Sequence, residues 1–199
     1  MNIRQLRRHR IAMWPFPRAV LDLDFVRQRY WWGGQQRTTA AFTTYTLNGS
    51  TFDQHGLTPT ATIDVTVALA GVGTIIPGAL AVKARVPLVA PGSARSIVGV
   101  DDGTDNERIQ VRCSTANVLS ILVTDGGATT ASITAGTPVS GIIDIFAASF
   151  KTDEVLAFRA GVAGTADVSA TMPTVTTFRV GKAVAASSQY PDAISRTVL

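Results

Sequence analysis

Lysine and glutamate are almost missing from this chain: its 199 residues hold 3 lysines and 2 glutamates. Soluble helices draw their exposed faces largely from these two residue types and pair them four positions apart. Their scarcity excludes a largely helical protein. A single cysteine, Cys113, excludes an intrachain disulfide and leaves the redox compartment open. Two histidines, His9 and His55, leave little material for imidazole chemistry. No apolar run reaches the roughly 18 residues of a membrane-spanning helix, so no membrane insertion is expected. Charged residues make up only 16%, but hydrophobic residues reach 46%, which excludes a disordered chain. The length suffices for one domain with a core that needs neither metal nor disulfide.

In place of helix formers the chain has 21 valines, 13 isoleucines and 25 threonines, the β-branched residues that pack best on a pleated surface. Period-two alternation is explicit in three segments. Leu21, Leu23 and Phe25 alternate with Asp22 and Asp24. Ile63, Val65, Val67 and Leu69 alternate with Thr62, Asp64 and Thr66. Ile109, Val111 and Cys113 alternate with Arg108, Gln110 and Arg112. Each is the pattern of a half-buried strand. Further strands are expected at 79–86, 95–101, 118–124, 129–134, 142–150, 155–160, 166–170, 176–181 and 193–199. Turn pairs punctuate them: Asn48-Gly49, Pro77-Gly78, Pro91-Gly92, Asp102-Gly103, Asp125-Gly126-Gly127 and Ala163-Gly164. Short strands at this spacing, with no helical period between them, predict an all-β fold. Its expected form is an antiparallel jelly-roll β-sandwich over residues 20–199.

The charge is unevenly placed. Residues 1–37 hold eight arginines against Asp22 and Asp24, while the rest of the chain carries ten basic and twelve acidic side chains. The net charge of +4 therefore belongs to the start of the chain, and a nucleic-acid-binding domain loses its electrostatic support. Residues 1–19 read as an extended basic arm. Its apolar stretch is too short for a secretory signal and is broken by Pro15 and Pro17. Arg4, Arg7, Arg8, Arg10 and Arg18 suit bidentate contacts with carboxylates of a protein partner, and Trp14 and Phe16 suit apolar pockets on it.

His9 lies in the arm, and His55 in the polar loop FDQHGL has no cysteine or serine motif beside it. Glu107 and Glu154 have no carboxylate partner at glycosidase spacing on a strand face. No catalytic residue and no cofactor is expected, so an enzyme is not expected. In DDGTDNE, the oxygens of Asp101, Asp102 and Asp105 are of the type that suits calcium. The favoured reading is a hairpin turn, because Asp-Gly and Asp-Asn pairs form turns readily. Cys113, alternating with arginines, reads as a small buried apolar residue. The glycines of residues 125–127 and 161–164 read as turns. The adjacent Tyr30, Trp31 and Trp32 suit a glycan-stacking platform; burial in the core or in a subunit interface is favoured for residues of this size.

Four segments, AVLDLDFVRQRYWW, SIVGVDDGTDNERIQVRC, ILVTDGGATTASITAGTPVSG and VLAFRAGVAGTADVSATMPTVTTFRVGK, resemble the lectin-like jelly-roll module of tailed bacteriophage structural proteins. That module is similar to sandwiches of the laminin-G and concanavalin type. The resemblance runs from Val20 to Lys182, and its most specific part is the succession from DDGTDNERI through TDGG to TFRVGK. Where related modules carry an Asn-Gly-Gly turn, this chain has FRAGVAG without the asparagine. The resemblance implies a non-enzymatic virion protein of tail-fibre or baseplate type. In that role it would be anchored to other virion proteins by its arm, assembled as a homo-oligomer with a trimer favoured, and turned outward toward host-surface glycans. Capsid decoration and a free carbohydrate-binding lectin are the alternatives.

Overall fold

In the computed structural model the described residues are 21–26, 29–32, 35–37, 45–47, 51–59, 65–70, 75–184 and 190–199. The arm, with Arg4, Arg7, Arg8, Arg10, Trp14, Phe16 and Arg18, lies outside them. Seventeen strands are present, and no helix occurs among the described residues. In chain order they are β1 (Leu21–Asp24), β2 (Arg29–Trp32), β3 (Gln35–Arg37), β4 (Tyr45–Leu47), β5 (Thr51–Asp53), β6 (Gly56–Thr58), β7 (Val65–Ala68), β8 (Gly78–Arg85) and β9 (Arg95–Asp101). There follow β10 (Arg108–Cys113), β11 (Leu119–Asp125), β12 (Ala128–Gly136), β13 (Ile143–Lys151), β14 (Glu154–Arg159), β15 (Val162–Ala163), β16 (Thr177–Val180) and β17 (Ile194–Val198).

The strands form two antiparallel sheets that pack as a sandwich. One has ten strands, with the path β15-β14-β13-β8-β17-β1-β2-β3 and the β5–β6 hairpin beside β17; the other has seven, in the order β12-β11-β10-β9-β16-β7-β4. The final strand is internal, lying between β8 and β1. Leu21 and Leu199 also exchange backbone hydrogen bonds, at 3.0 and 2.8 Å. The two ends of the described fold thus complete one sheet.

Alternation fills the space between the sheets. Leu21, Leu23, Leu80, Val82, Phe146 and Phe150 point inward from the ten-stranded sheet. They meet Val65, Val67, Val98, Val100, Ile109, Val111, Ile121, Val123 and Phe178 from the seven-stranded one. Burying each of these side chains contributes about 1.5–3 kcal/mol, and together they hold the two sheets face to face.

Two expectations are corrected. Residues 166–170 are not a strand: only an isolated bridge joins Val155 to Asp167. The Asp167 carboxylate accepts hydrogen bonds from Ser169 N and Oγ at 2.9 and 3.1 Å, which bends the chain into a turn instead. The reversal expected at Ala163-Gly164 occurs earlier, at Ala160 and Gly161, with φ of 49° and 83°; Val162–Ala163 then pairs back onto β14.

Candidate functional site

The inward alternation has a counterpart on the outer face of the seven-stranded sheet, where most of the alternate residues are polar. The registers align these side chains in three rows. The first runs Thr177, Asp101, Arg108, Thr124, Thr129; the second Thr66, Arg179, Gly99, Gln110, Leu122, Ser132; the third Ser96, Arg112, Ser120, Thr134. Asp101, Gln110, Ser96, Ser120 and Thr124 are buried, whereas Ser132 and Thr134 are exposed. The long arginines lie across the small polar residues and shield them.

Each of the three arginines is held differently. Arg179 donates from Nε to Asp101 Oδ2 at 2.7 Å and from Nη1 to Thr66 Oγ1 at 3.3 Å. Arg108 pairs with Asp105 and donates from Nε to Thr124 Oγ1 at 3.4 Å. Arg112 donates from Nε to Ser120 Oγ at 3.2 Å and forms no ion pair with a described carboxylate. Burial, and then the neighbouring Arg108 charge, lower its pKa from the ordinary arginine value. At Gly99, in the middle row, an added Cβ would press on Ile109 O and the Gln110 side chain at 2.8 and 3.3 Å, so Gln110 can lie across the glycine.

The acidic loop beside this face is a turn whose carboxylates are separately engaged. Asp101 accepts from Gly103 N at 2.8 Å as well as from Arg179; burial raises its pKa although Arg179 pulls it down. Asp102 accepts from Thr104 N and Oγ1 at 2.8 and 2.7 Å, and that side-chain bond lowers its pKa. Asp105 turns to Arg108. Glu107 ties two other segments together, accepting from Gly126 N at 2.7 Å and Thr174 N at 3.2 Å. Among the described residues no three His, Cys, Asp or Glu side chains are grouped to hold a metal ion.

The aromatic cluster of β2 is divided by the pleat. Tyr30 is 1% exposed, in the core beside Phe25 at a ring separation of 6.3 Å, and so does not reach a glycan. Trp31 is partly buried and stands opposite Asp22 on the other side of the strand, the outer face of the ten-stranded sheet. For Trp32 only the backbone is described. His55 lies on the β5–β6 turn at a cleft of about 310 Å³ that also includes Asp24, Lys83 and Arg196. The nearby Ser195 hydroxyl donates to the His55 backbone oxygen at 2.8 Å and not to the imidazole, so no nucleophile–base pair forms there. Cys113 is buried, its thiol 3.4 Å from Asn117 Oδ1 and pushed up to about 11 by burial.

Arg108, Gln110, Arg112 and Arg179 were not singled out from the sequence. Their signal was the polar half of the alternation, which reads equally well as an ordinary solvated face until the register shows which strands are neighbours.

Two antiparallel sheets packed face to face define an all-β sandwich. No family model matches the chain, and no curated protein matches it. Among solved structures, the chain is similar to the CBM40 carbohydrate-binding module of the Ruminococcus gnavus IT-sialidase. The TM-score is 0.53 and the identity 13%, over 65% of this chain and 78% of that one. The same module bound to α2,3-sialyllactose matches with a TM-score of 0.50, 12% identity, and coverage of 60% and 72%. Trypanosoma rangeli sialidase in complex with sialic acid matches with a TM-score of 0.64 and 11% identity; the match covers 92% of this chain but only 31% of the sialidase. At these identities the likeness is one of fold.

Proposed function

We propose that this chain is a non-enzymatic, lectin-like carbohydrate-binding module that uses the outer face of its seven-stranded sheet. The observation that carries the reading is the register itself. It brings guanidinium, amide and hydroxyl groups of five neighbouring strands onto one face. Sugars present many hydroxyls at fixed spacing, and such donors and acceptors on rigid strands match them without reorganisation. The fold it shares with a module solved with sialyllactose bound supports the same reading. The cleft at His55 has no such multi-strand array and is not favoured.

A glycan array probed with the full chain tests this. Binding to a defined set of glycans, lost on Gln110→Ala combined with Arg112→Gln in a protein that still folds, is expected. An array with no bound glycan contradicts the reading.

The role of a phage virion component, with the module facing host glycans, is a narrower form of the same proposal. It is supported by the resemblance of residues 20–182 and by the arginine-rich residues 1–19. In that role, deleting residues 1–19 leaves glycan binding intact and prevents incorporation into particles; particles that incorporate the truncated chain contradict the anchoring role. Tail or baseplate placement, with a trimeric assembly, is favoured over capsid decoration.

A further inference from the structure

We infer that the sugar bound on this face is acidic, and that its carboxylate is seated on Arg112. This rests on the outer face being the glycan site. Of the three arginines there, Arg179 and Arg108 are already neutralised by Asp101 and Asp105. Arg112 has one hydrogen bond to the protein, to a neutral serine hydroxyl. It is partly buried, and its charge is disfavoured by both burial and Arg108. A partly desolvated cation with no anion weakens a fold unless something else supplies the counter-charge.

Its Nη atoms offer the planar fork that pairs with a carboxylate through two parallel hydrogen bonds. A second polar group lies next to it. Ser96 stands directly across the ladder from Arg112 on the same face, 2% exposed, and its hydroxyl has no hydrogen-bond partner. Such a hydroxyl, one of three in the described residues with Tyr30 and Thr197, calls for a partner, and a ligand atom seated beside Arg112 would supply one. On the other side of Arg112 the row continues into the hydroxyls of Ser120 and Thr134, with Ser132 in the next row. An anion flanked by hydroxyls is what a carboxylated pyranose presents. An acidic side chain of a peptide would bring the carboxylate without the ring hydroxyls that flank it in such a sugar.

The test is titration calorimetry on the full chain. The probes are the methyl glycosides of N-acetylneuraminic acid and glucuronic acid, their neutral methyl esters, methyl galactoside, and a short aspartate-rich peptide. Wild-type protein should bind at least one acid about tenfold more tightly than its ester. Arg112→Gln should abolish that preference, so that acid and ester bind alike, and its melting temperature should equal or exceed that of the wild type, because the unpaired cation is gone. A purely structural role for Arg112 would lower the melting temperature and leave the preference untouched. Equal binding of acids and esters, or a preference that survives Arg112→Gln, overturns this inference while the glycan-binding reading stands. Binding of an acidic peptide with no acidic sugar bound also overturns it. If no sugar binds at all, the glycan-binding reading fails and takes this inference with it.

Discussion

At the scale of single residues, the chain separates buried polar groups that are fully occupied from those that are not. Cys113 belongs to the core: its thiol, ordinarily near 9.0, is pushed up to about 11 because the surrounding side chains disfavour a thiolate. Between those two pH values the native state keeps a proton that the unfolded chain has lost. Stability is therefore unaffected by this group below pH 9 and falls as the pH rises from 9 to 11, by on the order of 2 kcal/mol. Buried Tyr190, whose phenol is also raised by burial and donates to Arg85 O, acts with the same sign at higher pH. Thermal melts across this range should show the fall, and Cys113→Ala should remove it between pH 9 and 10, below the ordinary phenol value of 10.0 at which Tyr190 begins to contribute; a slope unchanged there would place its cause elsewhere. The sequence already supported burial of this cysteine, because it stands in phase with Ile109 and Val111. The environment of Arg112 was not legible in the same strand. Alternation says that an arginine points outward, but whether it finds an anion depends on which residues of β9 and β11 the register sets beside it.

At the scale of strands and hairpins, local pattern was largely sufficient. The strand expected at 95–101 matches β9, and those at 79–86, 118–124, 142–150 and 155–160 match β8, β11, β13 and β14 within a residue or so. Asp125-Gly126-Gly127 turns β11 into β12 with both glycines at positive φ, 58° and 81°, as a tight hairpin requires. The miss at 166–170 has a local cause, the aspartate turn that competes with the ladder. What the pattern could not give is pairing order. Residues 193–199 read as a last strand, but only the register shows that β17 is internal, hydrogen-bonded to β8 and β1. Edge strands are dispensable more often than internal ones, since removing an internal strand uncovers two ladders and the core beneath. Deleting Ile194–Leu199 is therefore expected to abolish cooperative folding, losing Ile194, Thr197 and Val198 from the interior. A truncated chain that keeps its β-sheet circular dichroism and a sharp thermal transition would contradict the topology.

At the scale of the whole molecule, the two outer faces differ in kind. The ten-stranded sheet shows Trp31, the Asp22–Arg196 ion pair and the partly exposed Ile143 and Ile145; the seven-stranded sheet shows ordered rows of arginine, glutamine, serine and threonine. Fold class and the division into strands were readable from composition and period. The choice of face was not, because Tyr30, Trp31 and Trp32 point to the ten-stranded sheet, whereas the polar face is assembled from five strands scattered between residues 95 and 180. The proposed glycan site rests on that choice of face. The measurement that tests it most directly is an amide chemical-shift titration of the isotope-labelled chain with a glycan selected by array. Shifts concentrated at Ser96, Gln110, Arg112, Ser120 and Ser132, unchanged in pattern by Trp31→Ala, are predicted. Shifts concentrated at Trp31, Lys83 and Arg196, with none on the seven-stranded sheet, would contradict it.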